Sequence, residues 1–549
     1  GGGSSGTYSM SAGSLSANSW FAVGRDGGTG TFNLSGGTVT KGGNGDIEIG
    51  GWNAGTGTMN VTGGLLDVQA GNVLVAVSGG GTGTMTIGGT GEVRVGNLYV
   101  GRYDDNTNGT LNLNAGGTLK TGQLAGRAPD HVANPQSTVN FNGGVLVATR
   151  DASSFINSLT TANIAAGGAV IDTQGYSVTT SQAFSGSGAL TKLGTGTLRL
   201  TGASTNTGNT TVSAGTLFTT TAAAGGGAVS VANGAAFGVV TAGTLDSQYA
   251  ASSLTLGSFS EITIDLGDLG NPTAAPLAVS GAFTLSGVSA LNFATLAPAV
   301  GTIPLISYGS FSDFANLSLG TLPAGVSGLL VNNTAASTID LLVTNVSLPR
   351  WNGNLSGVWN VGTTANWVDT ITDQPTTFTN GAPAVFNDLA TGTTDVVVNT
   401  AVAPGSMTVN NETLAYTVAG TGSIGGAGGL TKSGAGSLSI STANTYTGPT
   451  VLSGGTTTID SLANVGAASA IGAGSAGTGS LVFDGGSLVY VGPAVTTNRG
   501  FSVTGDGSSF EIQADVSMSG GVSATAGSFV KAGAGTLTLT GAANSLTSG

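Results

Sequence analysis

The chain has 549 residues, 98 of them glycine, with no cysteine, one histidine, 7% charged residues and a formal net charge of −13. The acidic balance excludes a phosphate-tracking nucleic-acid surface and adsorption to anionic lipid. With no cysteine and a single histidine a zinc site is excluded, and no apolar run reaches the ~18 residues of a spanning helix. At 39%, hydrophobic residues in regular alternation supply a narrow core that offsets chain entropy, which separates this composition from a disordered linker.

From the first residues onward one short strand recurs. Its copies are Thr7-Tyr8-Ser9-Met10, Thr31-Phe32-Asn33-Leu34, Thr58-Met59-Asn60-Val61, Thr84-Met85-Thr86-Ile87, Thr110-Leu111-Asn112-Leu113 and Thr138-Val139-Asn140-Phe141. Successive threonines are set apart by nearly equal steps of roughly 26 residues, a fixed period that marks a solenoid. Each copy alternates polar and apolar with the period of a half-buried strand. Glycine pairs such as Gly36-Gly37 and Gly63-Gly64 follow at a tight corner. A second strand comes next, as in Leu65-Leu66-Asp67-Val68, and after another turn a third, as in Ile47-Glu48-Ile49.

Three short strands in roughly 25 residues make one coil of an all-β, parallel β-helix. Stacked coils pair backbone groups ~4.8 Å apart and align equivalent side chains. Tyr8, Phe32, Met59, Met85, Leu111 and Val139 are expected to form one inner structural column. Ser9, Asn33, Asn60, Asn112 and Asn140 are expected outside it, as a ladder of hydrogen-bonded amides. Extended over the whole chain, the plan gives roughly 20 coils in a rod on the order of 100 Å long.

Around residues 151–185 the period loosens, and the helix-like stretches 153–159 and 462–469 read as turns or excursions. Three regions are drafted: 1–150 of regular coils, 151–348 with an irregular proline-bearing tail, and 349–549, entered through the joint Leu348-Pro349-Arg350. A second repeat series begins with Leu190-Thr191-Lys192-Leu193-Gly194-Thr195-Gly196-Thr197-Leu198, returns as Leu430-Thr431-Lys432-Ser433-Gly434-Ala435-Gly436-Ser437-Leu438, and again as Phe529-Val530-Lys531-Ala532-Gly533-Ala534-Gly535-Thr536-Leu537. The first two continue in parallel to Ser213-Ala214-Gly215-Thr216 and Ser453-Gly454-Gly455-Thr456. The step from Lys192 to Lys432 is more than twice the step from Lys432 to Lys531, so insertions or excursions are expected between them.

This second series resembles the autotransporter-associated β-strand repeat, also called the passenger-associated transport repeat, over about 186–220, 428–460 and 527–549. Trp351-Asn352-Gly353, Val358-Trp359-Asn360 and Ala365-Asn366-Trp367 resemble a unit placed ahead of such repeats. The segment from Ile303-Pro304-Leu305 to Ile339-Asp340-Leu341 resembles the closing unit of a preceding module. The resemblance implies a right-handed parallel β-helix and export to the outer surface of a Gram-negative cell; it does not imply an activity. The sequence has no translocator barrel, opens without Met or a signal peptide and closes inside a repeat. That fits either a removed leader or a longer chain.

Candidate chemistry is sparse. Enzymes built on β-helices group carboxylates on neighbouring coils. The nearest approach to that is Arg102-Tyr103-Asp104-Asp105 with His131 a coil later, which reads as a solvated loop. Gly42-Gly43-Asn44-Gly45-Asp46 is one residue short of a calcium nonapeptide, and Asp265 with Asp268 offers two carboxylates to Ca2+; no other cofactor is expected. Arg25, Arg102 and Arg127, with Asp26, Asp104 and Asp130 close behind, are expected as a corner column of exposed ion pairs. Trp351, Trp359 and Trp367 are expected either to pack a core end or to stack on glycans.

These features point to a non-enzymatic structural solenoid of the bacterial surface, a fibre, matrix or adhesive stalk. Self-association into a filament is expected, because an open coil end presents unpaired backbone groups. The alternative is a carbohydrate-binding or polysaccharide-cleaving β-helix.

Overall fold

The computed structural model describes residues 3–102, 106–126, 136–242, 244–267, 270–294, 296, 298–323, 326–346, 348–370, 372–475, 477–524, 528–541 and 544–546. Among these residues the only helical segments are two 3-10 turns, Phe314–Asn316 and Thr478–Ser480; the rest of the regular structure is strand. Parallel strands stack into β-solenoid coils in each of two compact units. One comprises Gly1–Thr321 with Gly328–Val343, the other Leu322–Ser327 with Thr344–Gly549.

In the first unit the recurring strands lie in continuous register. Tyr8 pairs with Phe32, Phe32 with Met59, Met59 with Met85, Met85 with Leu111 and Leu111 with Val139. Phe32, Met59, Met85, Leu111 and Val139 are buried. Tyr8 stacks on Phe32 with ring centroids 5.4 Å apart and is 53% exposed. Outside the column, the amide of Asn60 donates to Asn33 (2.9 Å), Asn140 to Asn112 (2.9 Å) and Asn142 to Asn114 (3.1 Å). Each of these outer amides is therefore satisfied by the neighbouring coil.

Strand Thr29–Lys41 turns the corner at Gly36-Gly37 as one 13-residue element, and Thr56–Val68 repeats the course. Gly37 has φ +84°, and a Cβ there would lie 2.5 Å from the Gly13 carbonyl oxygen. Any other residue would push two coils apart.

The coil shortens along the chain. Thr138 pairs with Thr161 and Leu190 with Thr210, so a period of roughly 26 residues contracts to one of roughly 20. In the second unit Leu430 pairs with Thr450, which is the same short coil, whereas the pairing of Thr450 with Leu481 spans a coil half as long again. That long coil carries an excursion around residues 460–475. The short coils keep two strands, Leu190–Leu193 and Thr197–Leu200 in the first copy. Their third side has no strand, yet Thr205 and Thr207 still donate backbone N–H groups to the preceding coil, at Phe184 and Gly186.

The third copy of the lysine motif is placed differently from the other two. Leu430–Ser433 and Ser437–Ile440 lie in separate sheets. Phe529–Ala532 pairs with Ser508–Ile512, in the sheet that holds Ser437–Ile440. The excursion and the altered coil lengths have carried this copy one face around the solenoid.

Each unit also has an antiparallel element. In the first, Gly301–Ser307 pairs in parallel with Leu277–Val279 and antiparallel with Thr338–Val346. In the second, Pro349–Trp351, Trp367–Asp369 and Pro375–Thr376 pair antiparallel before Arg350 joins the parallel stack opposite Val385.

Candidate functional site

The lysine of the second repeat series occupies an inward position of its strand, where alternation calls for an apolar side chain. Lys192 and Lys432 are fully buried. Their methylene stems lie in the core, and their ammonium groups reach the strand end, where the chain turns. Lys192 Nζ donates to the carbonyl oxygens of Leu193 (2.9 Å), Gly194 (2.7 Å) and Ala214 (3.1 Å). Lys432 Nζ donates to Ser433 (2.7 Å), Gly434 (2.8 Å) and Gly454 (3.4 Å). Two acceptors come from the lysine's own turn and the third from the equivalent turn one coil on. The motif glycines clear the space: a Cβ at Gly455, where φ is +60°, would lie 2.9 Å from Lys432 Nζ. Lys531 makes the same kind of contact with Gly533 (2.7 Å) and Gly535 from an exposed position.

Among the described residues no carboxylate is ion-paired with either buried ammonium; carbonyls alone receive them. Burial therefore pushes the Lys192 ammonium down to about 8, against an opposing pull from Asp172, and pushes Lys432 in the same direction. A buried cation is tolerable here because oriented carbonyl dipoles replace its lost hydration. Arg499 follows the same rule within the second unit. It is fully buried, and its guanidinium donates to the carbonyls of Ala463 (2.7 Å), Gly472 (2.5 Å) and Ala473 (3.0 Å), fixing the excursion to the coil.

Carboxylates do the converse, accepting backbone N–H groups of the following coil. Asp388 receives Glu412 (2.6 Å), Thr413 (3.0 Å) and Leu414 (2.8 Å), and these bonds hold its carboxyl down at about 2. Asp46, Asp246 and Asp515 take the backbone amides of Asn72, Thr273 and Thr536 in the same way.

Several residues singled out in the sequence now have places. The glycine-rich loop around Asn44, read as a Ca2+ candidate, surrounds an ammonium. Lys41 is buried and donates to the carbonyls of Gly42 (2.8 Å), Gly43 (3.5 Å), Asn44 (3.3 Å) and Gly45 (3.0 Å). Asp268, the partner of Asp265 in the second Ca2+ candidate, lies outside the described residues, as do Tyr103, Asp104, Asp105, Arg127, Asp130 and His131. Among the described residues no group of three or more His, Cys, Asp or Glu is arranged to hold a metal ion.

The two described members of the expected arginine column form inter-coil pairs. Arg25 contacts Glu48 at 3.3 Å as well as its neighbour Asp26 at 3.7 Å, and Arg102 contacts Asp46 at 3.6 Å. Glu48 is buried, unlike the exposed pairs expected. Desolvation raises its pKa, against the opposing effects of the Trp52 indole N–H and Arg25. Trp52 itself is exposed beneath the Arg25 guanidinium, an arrangement that no local sequence pattern announces.

Trp351, Trp359 and Trp367 come together. All three are fully buried, with Trp367 5.3 Å from both of the others and with Phe378 and Phe386 around them. Buried Asn366 ties the surrounding loop together, accepting from Leu355 and Ser356 and donating to Val358. No indole face is left open for a sugar to stack on; the cluster fills the core of the second unit beside its antiparallel strands.

An open groove of about 830 Å³ lies on the outer face of the second strand row in the first unit, lined by residues that include Glu92, Lys120, Val145, Asp172, Gln174 and Tyr176. Glu92 is held by Lys120 at 3.0 Å and by Arg94. This groove has no signature in the sequence, because its lining comes from four different coils.

Stacked parallel coils, corners filled by lysine and a surface held by inter-coil hydrogen bonds define a repeat β-solenoid. The family model described as passenger-associated-transport-repeat matches residues 190–217, 430–459 and 529–549. The chain is also similar to the Adhesin BmaC autotransporter of Brucella suis biovar 1 (strain 1330), with 42% identity over 126 residues. That alignment covers 22% of this chain and 4% of the relative, so the chain spans a small fraction of that protein's length. No solved structure matches the chain.

Proposed function

We propose that this chain forms part of an autotransporter passenger displayed on the surface of a Gram-negative bacterium, where it serves as a non-enzymatic adhesive stalk or fibre. The observation that carries the reading is the lysine-filled corner of the transport repeats, in which polar groups are spent on holding coils together rather than on a reactive centre. The family match and the autotransporter adhesin relative support the same placement. Coil-on-coil stacking into longer fibres or a matrix is the finer part of the proposal, supported by the register of near-identical strands.

Two measurements test it. Antibodies raised against the chain should label intact producing cells, and latex beads coated with it should adhere to host or abiotic surfaces; labelling confined to lysed cells would overturn the placement. Negative-stain images over rising concentration should show rods that lengthen. Rods of constant length would remove the stacking.

A second reading, carbohydrate binding, is favoured by the groove at Glu92, Asp172 and Tyr176. A glycan screen with hydrolysis controls separates it. Binding lost in Tyr176→Ala would support a lectin-like stalk, and turnover lost in Asp172→Asn would overturn the non-enzymatic reading.

A further inference from the structure

The outer face of the first strand row in the first unit has a composition found on neither of the other rows. Its central column is Thr7, Thr31, Thr58, Thr84, Thr110, Thr138 and Thr161, one threonine per coil in unbroken register. Two residues along each strand runs a second column: Ser9, Asn33, Asn60, Thr86, Asn112, Asn140 and Asn163. On the other flank stand Ser5, Thr29, Thr56, Thr82, Asn108 and Gln136. None of these positions is charged, aromatic or aliphatic. The second strand row, by contrast, points Asp67, Glu92, Arg94 and Lys120 outward.

Geometry makes the face a two-dimensional lattice. Rungs repeat at about 4.8 Å, and outward residues along a strand at about 6.7 Å. No threonine hydroxyl of the central column has a hydrogen-bond partner among the described residues. The neighbouring amides are fixed by one another: Asn33 donates to Ser9 (3.2 Å), Asn60 to Asn33 (2.9 Å), Asn140 to Asn112 (2.9 Å) and Asn163 to Asn140 (3.3 Å). The array is thus preorganised, with free hydroxyls beside methyl groups at a regular pitch, and ordering it costs little on binding.

The chemistry narrows the occupant. A protein partner of standard affinity needs apolar and aromatic anchors, and the three columns have none. The three columns also offer no aromatic platform on which a sugar ring could stack. Charged side chains organise water around themselves, whereas neutral hydroxyls on a fixed lattice leave their water free to adopt an imposed pattern. Both spacings lie near repeat distances on the faces of hexagonal ice. We propose that this face binds ice.

The test uses the full chain and ice itself. The purified chain should slow ice recrystallisation and be enriched in a slowly growing ice front. Replacing three central rungs, Thr58→Tyr with Thr84→Tyr and Thr110→Tyr, should abolish both effects while far-UV circular dichroism and the unfolding midpoint persist. Arg94→Ala on the charged row should change neither effect. If the triple variant fails to fold, Thr84→Val, which removes one hydroxyl at constant shape, should still weaken the activity. The proposal is overturned if the native chain is excluded from ice like an inert control protein, or if the tyrosine variant folds and acts like the native chain. Binding to crystalline cellulose or chitin without binding to ice would also overturn it, assigning the face to a crystalline polysaccharide instead.

Discussion

The coils around Thr31 and Thr110 and those around Lys192 and Lys432 stack the same kind of parallel strand but differ in length and in the number of strands they hold. The longer coils have room for three strands and satisfy their flanks with Asn-to-Asn ladders and acidic side chains. The short coils give up one strand and fill the tightened corner with a lysine whose ammonium gathers the turn carbonyls. An inward cation gathers turn carbonyls in both kinds of coil: Lys41 does so in a longer coil, Lys192 and Lys432 in the short ones.

The largest break in this comparison would come from the second unit's aromatic cluster. Trp359→Ala should cost about 4 kcal/mol. Hydrogen exchange should show the loss first in Pro383–Asn387, with Thr29–Lys41 of the first unit unaffected. Next comes the corner itself. Lys432→Met keeps the stem but leaves the Gly434 and Gly454 carbonyls without the ammonium, so it should cost about 2 kcal/mol, read as faster exchange at Thr450–Leu452.

Titration probes the lysine corner directly. The Lys192 ammonium is held near 8 in the fold, against 10.5 ordinarily. Between those values the unfolded chain binds more protons, so stability should be flat below pH 8 and rise from pH 8 towards 10.5. Lys192→Met should remove its share of that rise. A ladder position should matter less: Asn140→Ala is expected to cost about 1 kcal/mol, read as a small shift in denaturant midpoint. The smallest effect belongs to Asp388. Its carboxyl is held at about 2, against 3.8 ordinarily, so its contribution should be complete above pH 3.8 and fade as pH falls towards 2. Asp388→Asn should flatten that part of the acid limb.

The first strand row is legible in the sequence because period-2 alternation and a nearly constant coil length both report on it. Phe32, Met59 and Met85 can be aligned by counting alone. The lysine corners are not legible by the same logic. Lys192 and Lys432 read as markers of a repeat, although each stands at an inward position ahead of a glycine turn, and that combination is the available signal. Burial of Glu48 is hidden because a charge on a strand reads as solvent-facing until the loop bearing Trp52 folds over it. Contacts that skip a coil, such as Arg150 to Asn97 across 53 residues, have no signature in a local window. Nor does the rotation of the third motif copy to another sheet, since it depends on the summed lengths of intervening loops.

The third acceptor of each buried ammonium, Ala214 for Lys192 and Gly454 for Lys432, arrives only when the next coil is laid down. At these two corners each ammonium therefore ties two successive coils together.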